Sequence, residues 1–404
     1  MAVKLKEGVY WVGVVDWALR HFHGHELTTH RGSSYNAYLI MDEKVVLVDT
    51  VWGPFADDLL KKIGEIVDPA KIDIVVANHA ETDHSGALPT IMRRAPKAEV
   101  IVSKQGLTSI PGHYHENWKF RAVKTGDRVN IGKNDLVFIE APMLHWPDSM
   151  FTYLTGHNIL MSNDAFGHHY ATGFHFNDEV NQKELYEEAF RYYANILTPF
   201  SALVTAKIKE VLGFGLPVDI IATSHGVVWR DNPAQIIQRY LAWADAYREN
   251  QVTIVYDTMW NGTRRMAEEI ARGIHEADGD VVIKLFNAAK ADKNDIITEV
   301  FRSRAILVGS PTVNKGVLSS IAGLMEEIRG LGFKKKKAAA FGSYGWSGES
   351  VKMINGLLGG AGFELVNEGL RVTWNPDDEA RKSCREFGAG FARALGEFGR
   401  NEKQ

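Results

Sequence analysis

The sequence predicts an α/β protein with two domains. The chain has 404 residues, which is enough for two or three domains of roughly 100–200 residues each. Residues 251–404 alternate short apolar runs with amphipathic segments, and this pattern indicates a doubly wound parallel sheet with intervening helices. Residues 1–250 contain every histidine except His275, and several predicted strands there end in side chains that bind metals. We therefore predict domains at residues 1–250 and 251–404.

The composition is ordinary for a globular protein, with 45% hydrophobic and 24% charged residues. A net charge of −4 gives no reason to expect nucleic acid or an anionic membrane as a partner. No apolar run approaches the roughly 20 residues of a transmembrane helix, and the N-terminus lacks the apolar core of a signal peptide. A single cysteine, Cys384, excludes an intramolecular disulfide and a Cys-x-x-Cys iron site, so we expect a cytoplasmic protein without thiol redox chemistry.

The first element that carries chemistry is a predicted buried strand over residues 72–77, with the sequence Ile-Asp-Ile-Val-Val-Ala. The segment that follows it contains four metal-binding side chains within six residues: His79, Glu81, Asp83 and His84. Burying two imidazoles and two carboxylates so close together would be costly unless a cation neutralised them. The segment therefore predicts ligands for two metal ions at the end of this strand.

Matching ligands follow apolar runs further along the first half. His145 follows residues 136–139, Asp164 follows residues 158–161, and His225 follows residues 220–223. Ligands at the ends of separate strands can converge at one edge of a sheet. Helices are expected after His84 and around residues 182–198 and 233–248.

The ligand types give an indication of the metal. Four imidazoles and three carboxylates form a harder set than the usual zinc hydrolase site, and such a set suits iron better. Softness alone does not exclude zinc or manganese.

The second half is predicted to alternate strands and helices from residue 252 onward. Strands are expected at residues 252–256, 281–285, 305–308, 338–341 and 370–373, and helices at 263–275, 293–302, 318–331, 349–358 and 377–398. The basic run at residues 334–337 precedes a strand, and we interpret it as a solvated turn, with a docking patch as the alternative.

Three loops at the ends of neighbouring predicted strands indicate a phosphate and ring site. The first loop leads into a helix, whose N-terminal N–H groups together with hydroxyls favour an anion. No Gly-x-Gly-x-x-Gly or Gly-Lys-Thr motif occurs, which disfavours a dinucleotide or P-loop site. The candidate residues of this site are Thr258, Met259, Trp260, Asn261, Gly262 and Thr263 in the first loop, Ser310, Pro311, Thr312, Val313, Asn314 and Gly316 in the second, and Ser343, Tyr344, Gly345, Trp346, Ser347 and Gly348 in the third.

These motifs together resemble a known family. The residues 79–84 are similar to the His-x-His-x-Asp-His motif of the metallo-β-lactamase superfamily, with Glu81 at the second histidine position, and residues 251–404 resemble flavodoxin. Fusion of the two is the pattern of the flavodiiron proteins, or A-type flavoproteins. The resemblance implies an N-terminal metallo-β-lactamase-like αββα domain, a C-terminal flavodoxin-like doubly wound parallel sheet, and FMN with two non-haem irons per chain as cofactors.

The resemblance also implies roles for individual residues. One iron would be bound by His79, Glu81 and His145, the other by Asp83, His84 and His225, with Asp164 bridging the two. His84 is the least certain ligand, because some members of the family do not use the histidine at that position. Beyond the ligands, His25 and either Tyr192 or Tyr193 are the candidate catalytic residues, of which we favour His25 and Tyr193.

The reaction implied is the reduction of O2 to water in oxygen detoxification. The segment from Gly32 to Ile40 and the tryptophan-rich loops look closest to methanogen members, so reduced coenzyme F420 is the expected donor. The resemblance further implies a head-to-tail homodimer, or a tetramer built from it. No C-terminal rubredoxin domain is expected, because only one cysteine occurs.

Several alternatives stay open. Within the family, the chain could be a nitric oxide reductase or an oxygen reductase that receives electrons from rubredoxin. Outside it, a zinc hydrolase with an appended flavodoxin would need a metal set that Glu81 disfavours, and a pure electron carrier would not need the complete ligand set.

Overall fold

The computed structural model describes residues 1–398, and these residues form two compact units. The first unit comprises Met1–Tyr193 and Phe200–Ala244. The second comprises Ala194–Pro199 and the described residues from Asp245 onward. The domain limits predicted at residues 250 and 251 stay a prediction, and residues 399–404 of the predicted second domain lie outside the described residues.

The first unit is rich in short strands. In chain order they are β1 (Val3–Lys6), β2 (Val9–Trp11), β3 (Val14–Asp16), β4 (His21–Phe22), β5 (Leu27–Thr28), β6 (Ser33–Tyr35), β7 (Tyr38–Met41), β8 (Val45–Val48), β9 (Ile72–Val76), β10 (Glu99–Ser103), β11 (Phe120–Val123), β12 (Arg128–Asn130), β13 (Asp135–Glu140), β14 (Met150–Leu154), β15 (Ile159–Asn163) and β16 (Ile220–Thr223). Its helices are α1 (Ala56–Gly64), α2 (Thr82–Ser85), α3 (Leu88–Arg94), α4 (Gly106–Tyr114), α5 (Gln182–Tyr192), α6 (Ser201–Gly213) and α7 (Ala234–Ala244).

Two sheets form the centre of this unit. The larger has the order β1-β2-β7-β8-β9-β10-β11, and the smaller runs β12-β13-β14-β15-β16. Strand β9 shows why the sheets stack, because its successive side chains face opposite sides. Ile74 and Val76 pack in the core shared with residues of the smaller sheet, whereas Val75 packs in a second core with α1 and α3. The predicted αββα arrangement is confirmed.

The second unit is a parallel sheet with helices between its strands. Its strands are β17 (Glu249–Tyr256), β18 (Val282–Asn287), β19 (Ser303–Gly309), β20 (Lys337–Tyr344), β21 (Glu364–Leu365) and β22 (Leu370–Thr373), and its helices are α8 (Gly262–Ala277), α9 (Lys293–Arg302), α10 (Ser319–Leu331), α11 (Ser350–Gly360) and α12 (Asp378–Leu395). The order β18-β17-β19-β20, with β21 and β22 both paired to β20, is the doubly wound order of flavodoxin-like sheets. This confirms the predicted fold of the second half.

Some predicted elements differ from the observed ones. Helix α6 was not predicted, and the expected helix at residues 182–198 is α5 followed by a π-helical turn at Tyr193–Leu197. The expected helix at 233–248 ends at Ala244, since β17 already begins at Glu249. Within residues 1–398, no helix has the length and apolar character needed to cross a membrane.

The interpretation of residues 334–337 as a solvated turn is wrong for Lys336. This side chain is buried, and its Nζ donates hydrogen bonds to the carbonyls of Tyr247, Phe301 and Ser303. Burial, followed by the charge of Arg248, lowers the pKa of Lys336 to about 7.

Candidate metal centre and flavin cavity

The predicted metal ligands lie in segments that follow strands of both sheets in the first unit. His79 and Glu81 come directly after β9, and Asp83 and His84 lie on the single turn of α2. His145 follows β13, Asp164 follows β15, and His225 follows β16. Because β15 and β16 are parallel neighbours, Asp164 and His225 leave the sheet at the same edge.

The first group of ligands consists of His79, Glu81, His145 and Asp164, and one ligand atom of each lies within 4.8 Å of the others. The Nε2 atoms of His79 and His145 lie 3.3 and 3.4 Å from Glu81 Oε2. The same two nitrogens each lie 3.5 Å from Asp164 Oδ2. These four side chains are therefore close enough together to bind one metal ion.

The second group consists of Asp83, His84 and His225, which are all buried. The Nε2 atoms of His84 and His225 each lie 3.1 Å from Asp83 Oδ2. They also lie 3.0 and 3.5 Å from Asp164 Oδ1. Asp164 therefore directs one oxygen at each group, which is the geometry of a bridging carboxylate, and His84 points into the cluster.

The charges of the cluster favour cations. Burial opposes a charge on His84, yet Asp83 and Asp164 raise its pKa to about 9. Burial likewise works against ionised Asp164, but His84 and His79 hold the pKa of this carboxyl well below its usual value. Burial opposes ionisation of Glu81 too, whereas His145, His23 and His79 lower its pKa. Asp164 and Glu81 thus stay ionised close together, and metal binding would displace the proton from His84.

Hydrogen bonding also fits a metal centre. Both carboxylate oxygens of Asp83, both ring nitrogens of His84 and Oδ2 of Asp164 are buried without a hydrogen-bond partner among residues 1–398. Buried polar atoms are otherwise almost always paired, so this set of side chains fits a pair of bound cations.

The candidate His25 lies outside the two ligand groups. Its side chain is exposed and contacts the ring of His21, with centroids 4.9 Å apart. His23 instead approaches the cluster, with Nε2 at 2.6 Å from Glu81 Oε1. The backbone turns at His23 and Gly24, both with positive φ, and this turn carries His25 away from the ligands.

The candidate Tyr193 points away from the ligands as well. Its hydroxyl lies 3.0 Å from Ser201 Oγ, and its ring packs against Tyr240. Its neighbour Tyr192 is buried with its ring 5.2 Å from His169 and 6.3 Å from His225. After burial, the nearby Asp164 contributes most to a raised pKa of Tyr192, so this phenol stays protonated beside the cluster. Catalytic roles for His25 and Tyr193 stay predictions.

The second unit contains a cavity of about 570 Å³ at the C-terminal ends of its strands. Twelve of its lining residues were predicted: Thr258, Met259, Trp260, Gly262, Pro311, Thr312, Asn314, Ser343, Tyr344, Gly345, Trp346 and Ser347. Lys315, Trp374 and Asn375 also line it and were not predicted. The other candidates Asn261, Thr263, Ser310, Val313, Gly316 and Gly348 do not line it. Of these, Thr263 and Ser310 are buried behind it.

The cavity suits a flat ring with a phosphate. Trp260, Trp346 and Trp374 are 83%, 87% and 66% exposed at its rim. Gly262 starts α8, whose first N–H groups favour an anion. A Cβ at Gly345 would approach the Trp374 ring to 2.9 Å, so the loop packs closely against this tryptophan, and a larger residue would require the exposed ring to shift.

Comparison with known proteins gives the family. Residues 34–226 match the family described as ODP family beta lactamase, and residues 254–388 match the flavodoxin family. The chain is 54% identical over 395 residues to the anaerobic nitric oxide reductase flavorubredoxin of Vibrio vulnificus strain YJ016, covering 97% of this chain and 80% of that protein. The chain belongs to the flavodiiron protein family.

Solved structures agree with this assignment. This flavodiiron protein superposes on the rubredoxin oxygen:oxidoreductase of Desulfovibrio gigas with a TM-score of 0.95 at 35% identity, covering 98% of both chains. It superposes on the flavodiiron protein of Giardia intestinalis with a TM-score of 0.92 at 33% identity, covering 98% of this chain and 97% of that one. Its cofactors are FMN and two non-haem irons, in agreement with the flavodoxin match and the two ligand groups.

Proposed function

We propose that this flavodiiron protein is a nitric oxide reductase. The observation that carries the proposal is the 54% identity to a flavorubredoxin named for anaerobic nitric oxide reduction, which extends over 395 residues. This identity favours nitric oxide as the acceptor. The sequence resemblance alone had suggested O2. In the proposed reaction two nitric oxide molecules take up two electrons and two protons and give nitrous oxide and water.

The residues of the cluster would hold the two irons. We assign His79, Glu81 and His145 to one iron, Asp83, His84 and His225 to the other, and Asp164 to both. When bound, paired irons can hold small ligands between them and supply electrons, while FMN delivers electrons to the centre. His23 orients Glu81 through its 2.6 Å contact. The ring of Tyr192 packs against that of His169.

The test is anaerobic stopped-flow of the chemically reduced protein against nitric oxide and O2. We expect nitric oxide to be consumed faster, with nitrous oxide as the product, and Asp164→Ala to abolish turnover. Faster reduction of O2 than of nitric oxide would contradict the proposal.

Oxygen reduction is the second candidate, and one observation favours it. The structure with a TM-score of 0.95 is named rubredoxin oxygen:oxidoreductase. The same experiment separates the two acceptors.

For the electron donor we propose a rubredoxin-type protein, because both the flavorubredoxins and the Desulfovibrio gigas protein carry rubredoxin in their names. Reduced coenzyme F420, expected from the sequence resemblance, has no support from the comparisons. FMN reduction should be rapid with reduced rubredoxin and absent with reduced coenzyme F420, and the reverse result would restore the earlier expectation.

A head-to-tail homodimer is also part of the proposal, with the FMN of one subunit serving the irons of the other. The exposed tryptophans at the flavin cavity support an apolar contact there. Sedimentation should give twice the mass of the 45.1 kDa chain. A monomer with full turnover would exclude this arrangement. The cytoplasmic location stays a prediction from the sequence.

A further inference from the structure

The ring of His79 is held from behind by the loop that follows His145. Asp148 Oδ2 lies 3.4 Å from His79 Nδ1 and accepts a hydrogen bond of 2.6 Å from the N–H of Ala80. Trp146 packs edge-on against the same ring, with centroids 5.2 Å apart and planes at 83°. One short loop thus contacts both the ring and the outer nitrogen of this ligand.

Asp148 is buried, so its carboxylate does not interact with solvent. It is 2% exposed, and its Oδ1 has no hydrogen-bond partner among the described residues. A buried carboxylate is costly unless it interacts with a positive or strongly donating group. Its carboxylate contacts the His79 ring and accepts from the N–H of Ala80, the residue directly after His79, so both contacts act on this ligand and its backbone.

Among the described residues, no carboxylate contacts the outer nitrogens of the histidines in the second ligand group. The outer nitrogen of His225, Nδ1, lies 2.6 Å from the carbonyl oxygen of Ser34. The outer nitrogen of His84 has no hydrogen-bond partner within residues 1–398. A charged acceptor makes a ligating imidazole more basic and fixes its tautomer more strongly than a neutral carbonyl does.

We propose that Asp148 is a positioning residue for His79, and that it strengthens iron binding selectively in the group formed by His79, Glu81 and His145. This inference rests on the proposed metal ligands. It predicts that the two irons of one chain differ in how they are supported, although their ligand sets are similar in chemistry.

The test uses Asp148→Asn, which keeps the side-chain shape and the amide contact but removes the charge. In competition with an iron chelator, the reduced variant should release one iron per chain at a 10- to 100-fold lower chelator concentration than the wild type, the range typical for such outer partners. The other iron should be released at the wild-type concentration. Asp148→Glu, which restores the charge, should recover part of the affinity.

Ser103→Ala is the matched control. Ser103 Oγ donates a hydrogen bond of 2.7 Å to the backbone carbonyl of Asp148. Its loss therefore disturbs the same loop but leaves the Asp148 carboxylate unchanged. It should keep both irons at wild-type affinity, and iron-free Asp148→Asn should unfold at the same temperature as the iron-free wild type. Mössbauer spectra should show that the iron lost differs from the one lost in Asp83→Asn, which alters the other group.

The inference is overturned if Asp148→Asn keeps both irons at wild-type affinity, loses both together, or behaves like Ser103→Ala. None of these results would decide whether nitric oxide or O2 is the electron acceptor. Conversely, a wild-type protein that binds two irons but does not reduce nitric oxide would refute the proposed function and leave Asp148 unaffected.

Discussion

Asp164 is the residue through which the two ligand groups meet. Its Oδ1 and Oδ2 face different pairs of histidines, so Asp164→Ala should weaken both irons and reduce iron content toward zero. Glu81→Ala should affect one iron more than the other, since Glu81 contacts His79 and His145 and belongs to the first group. Elemental analysis after anaerobic purification measures both effects.

The control for this pair is Asp219→Asn. Asp219 is an exposed carboxylate of the same unit and pairs with Lys6 at 2.9 Å. Its loss should leave iron content unchanged. Full iron and full turnover in Asp164→Ala would show that the bridging role is wrong.

Thr258 tests the flavin site. It lines the cavity, and Thr258→Ala should weaken FMN binding by about 1–3 kcal/mol if a phosphate oxygen loses its hydrogen bond. Titration calorimetry with FMN and FAD would measure this. The exposed Thr373, which does not line the cavity, is the control. Tighter binding of FAD than of FMN would contradict the assignment.

The seven metal ligands could be predicted because each directly follows or lies near the end of an apolar strand, so the sequence pattern is local. Which of His23 and His25 approaches the metal ligands could not be predicted, because this depends on the backbone conformation of a turn. Trp374 and Asn375 follow a four-residue strand at the sheet edge and have no phosphate-type motif around them. Their position depends on the pairing of β22 with β20.

At the scale of elements, α6 shows a second limit of sequence patterns. Leu203 and Leu212 on or near its ends are exposed while Val204 and Ile208 are buried, so the apolar residues do not mark a single face. The N-cap residue Phe200 also makes no side-chain capping hydrogen bond. Neither periodicity nor a start signal distinguishes this helix in the sequence.

The packing of α8 on α12 depends on glycine. A Cβ at Gly388 would lie 2.1 Å from the carbonyl oxygen of Ile270, which is backbone and cannot move aside easily. Gly388→Ala should therefore destabilise the second unit by about 1–3 kcal/mol, as overpacking does. Gly390→Ala in the same helix is the control, because its Cβ would approach no atom closer than 4.0 Å.

Urea unfolding followed through the second unit would compare the two variants. Equal stability of Gly388→Ala and Gly390→Ala would show that the helices can separate without cost. A gain in both would indicate that only helix propensity matters at these positions.

Lys336 should make stability depend on pH. Its folded pKa of about 7 lies below the ordinary value of 10.5, so between these values the unfolded chain binds more protons than the folded one. Stability from this group therefore rises as pH increases from about 7 to 10. The free energy of unfolding should rise more over this interval in the wild type than in Lys336→Met, and parallel curves would contradict the assignment.

At the scale of the whole molecule, the metals should contribute to stability. Ions that bind only the folded chain stabilise it by about 2.7 kcal/mol when free metal exceeds Kd about 100-fold. Removing iron should therefore lower the melting temperature in calorimetry, and ferrous iron should restore it. Two zincs per chain in protein with no iron-dependent turnover would contradict the oxidoreductase assignment.

The tryptophans around the flavin cavity make the protein its own optical reporter. Three of the ten tryptophans line that cavity, and flavins absorb light in the range where indole emits. Energy transfer to a bound flavin should quench a large share of the intrinsic fluorescence. Occupancy of the cavity can then be followed continuously in the unlabelled protein, including during loss of the flavin on dilution, and substitution of Trp260 by phenylalanine should reduce the amplitude of the signal.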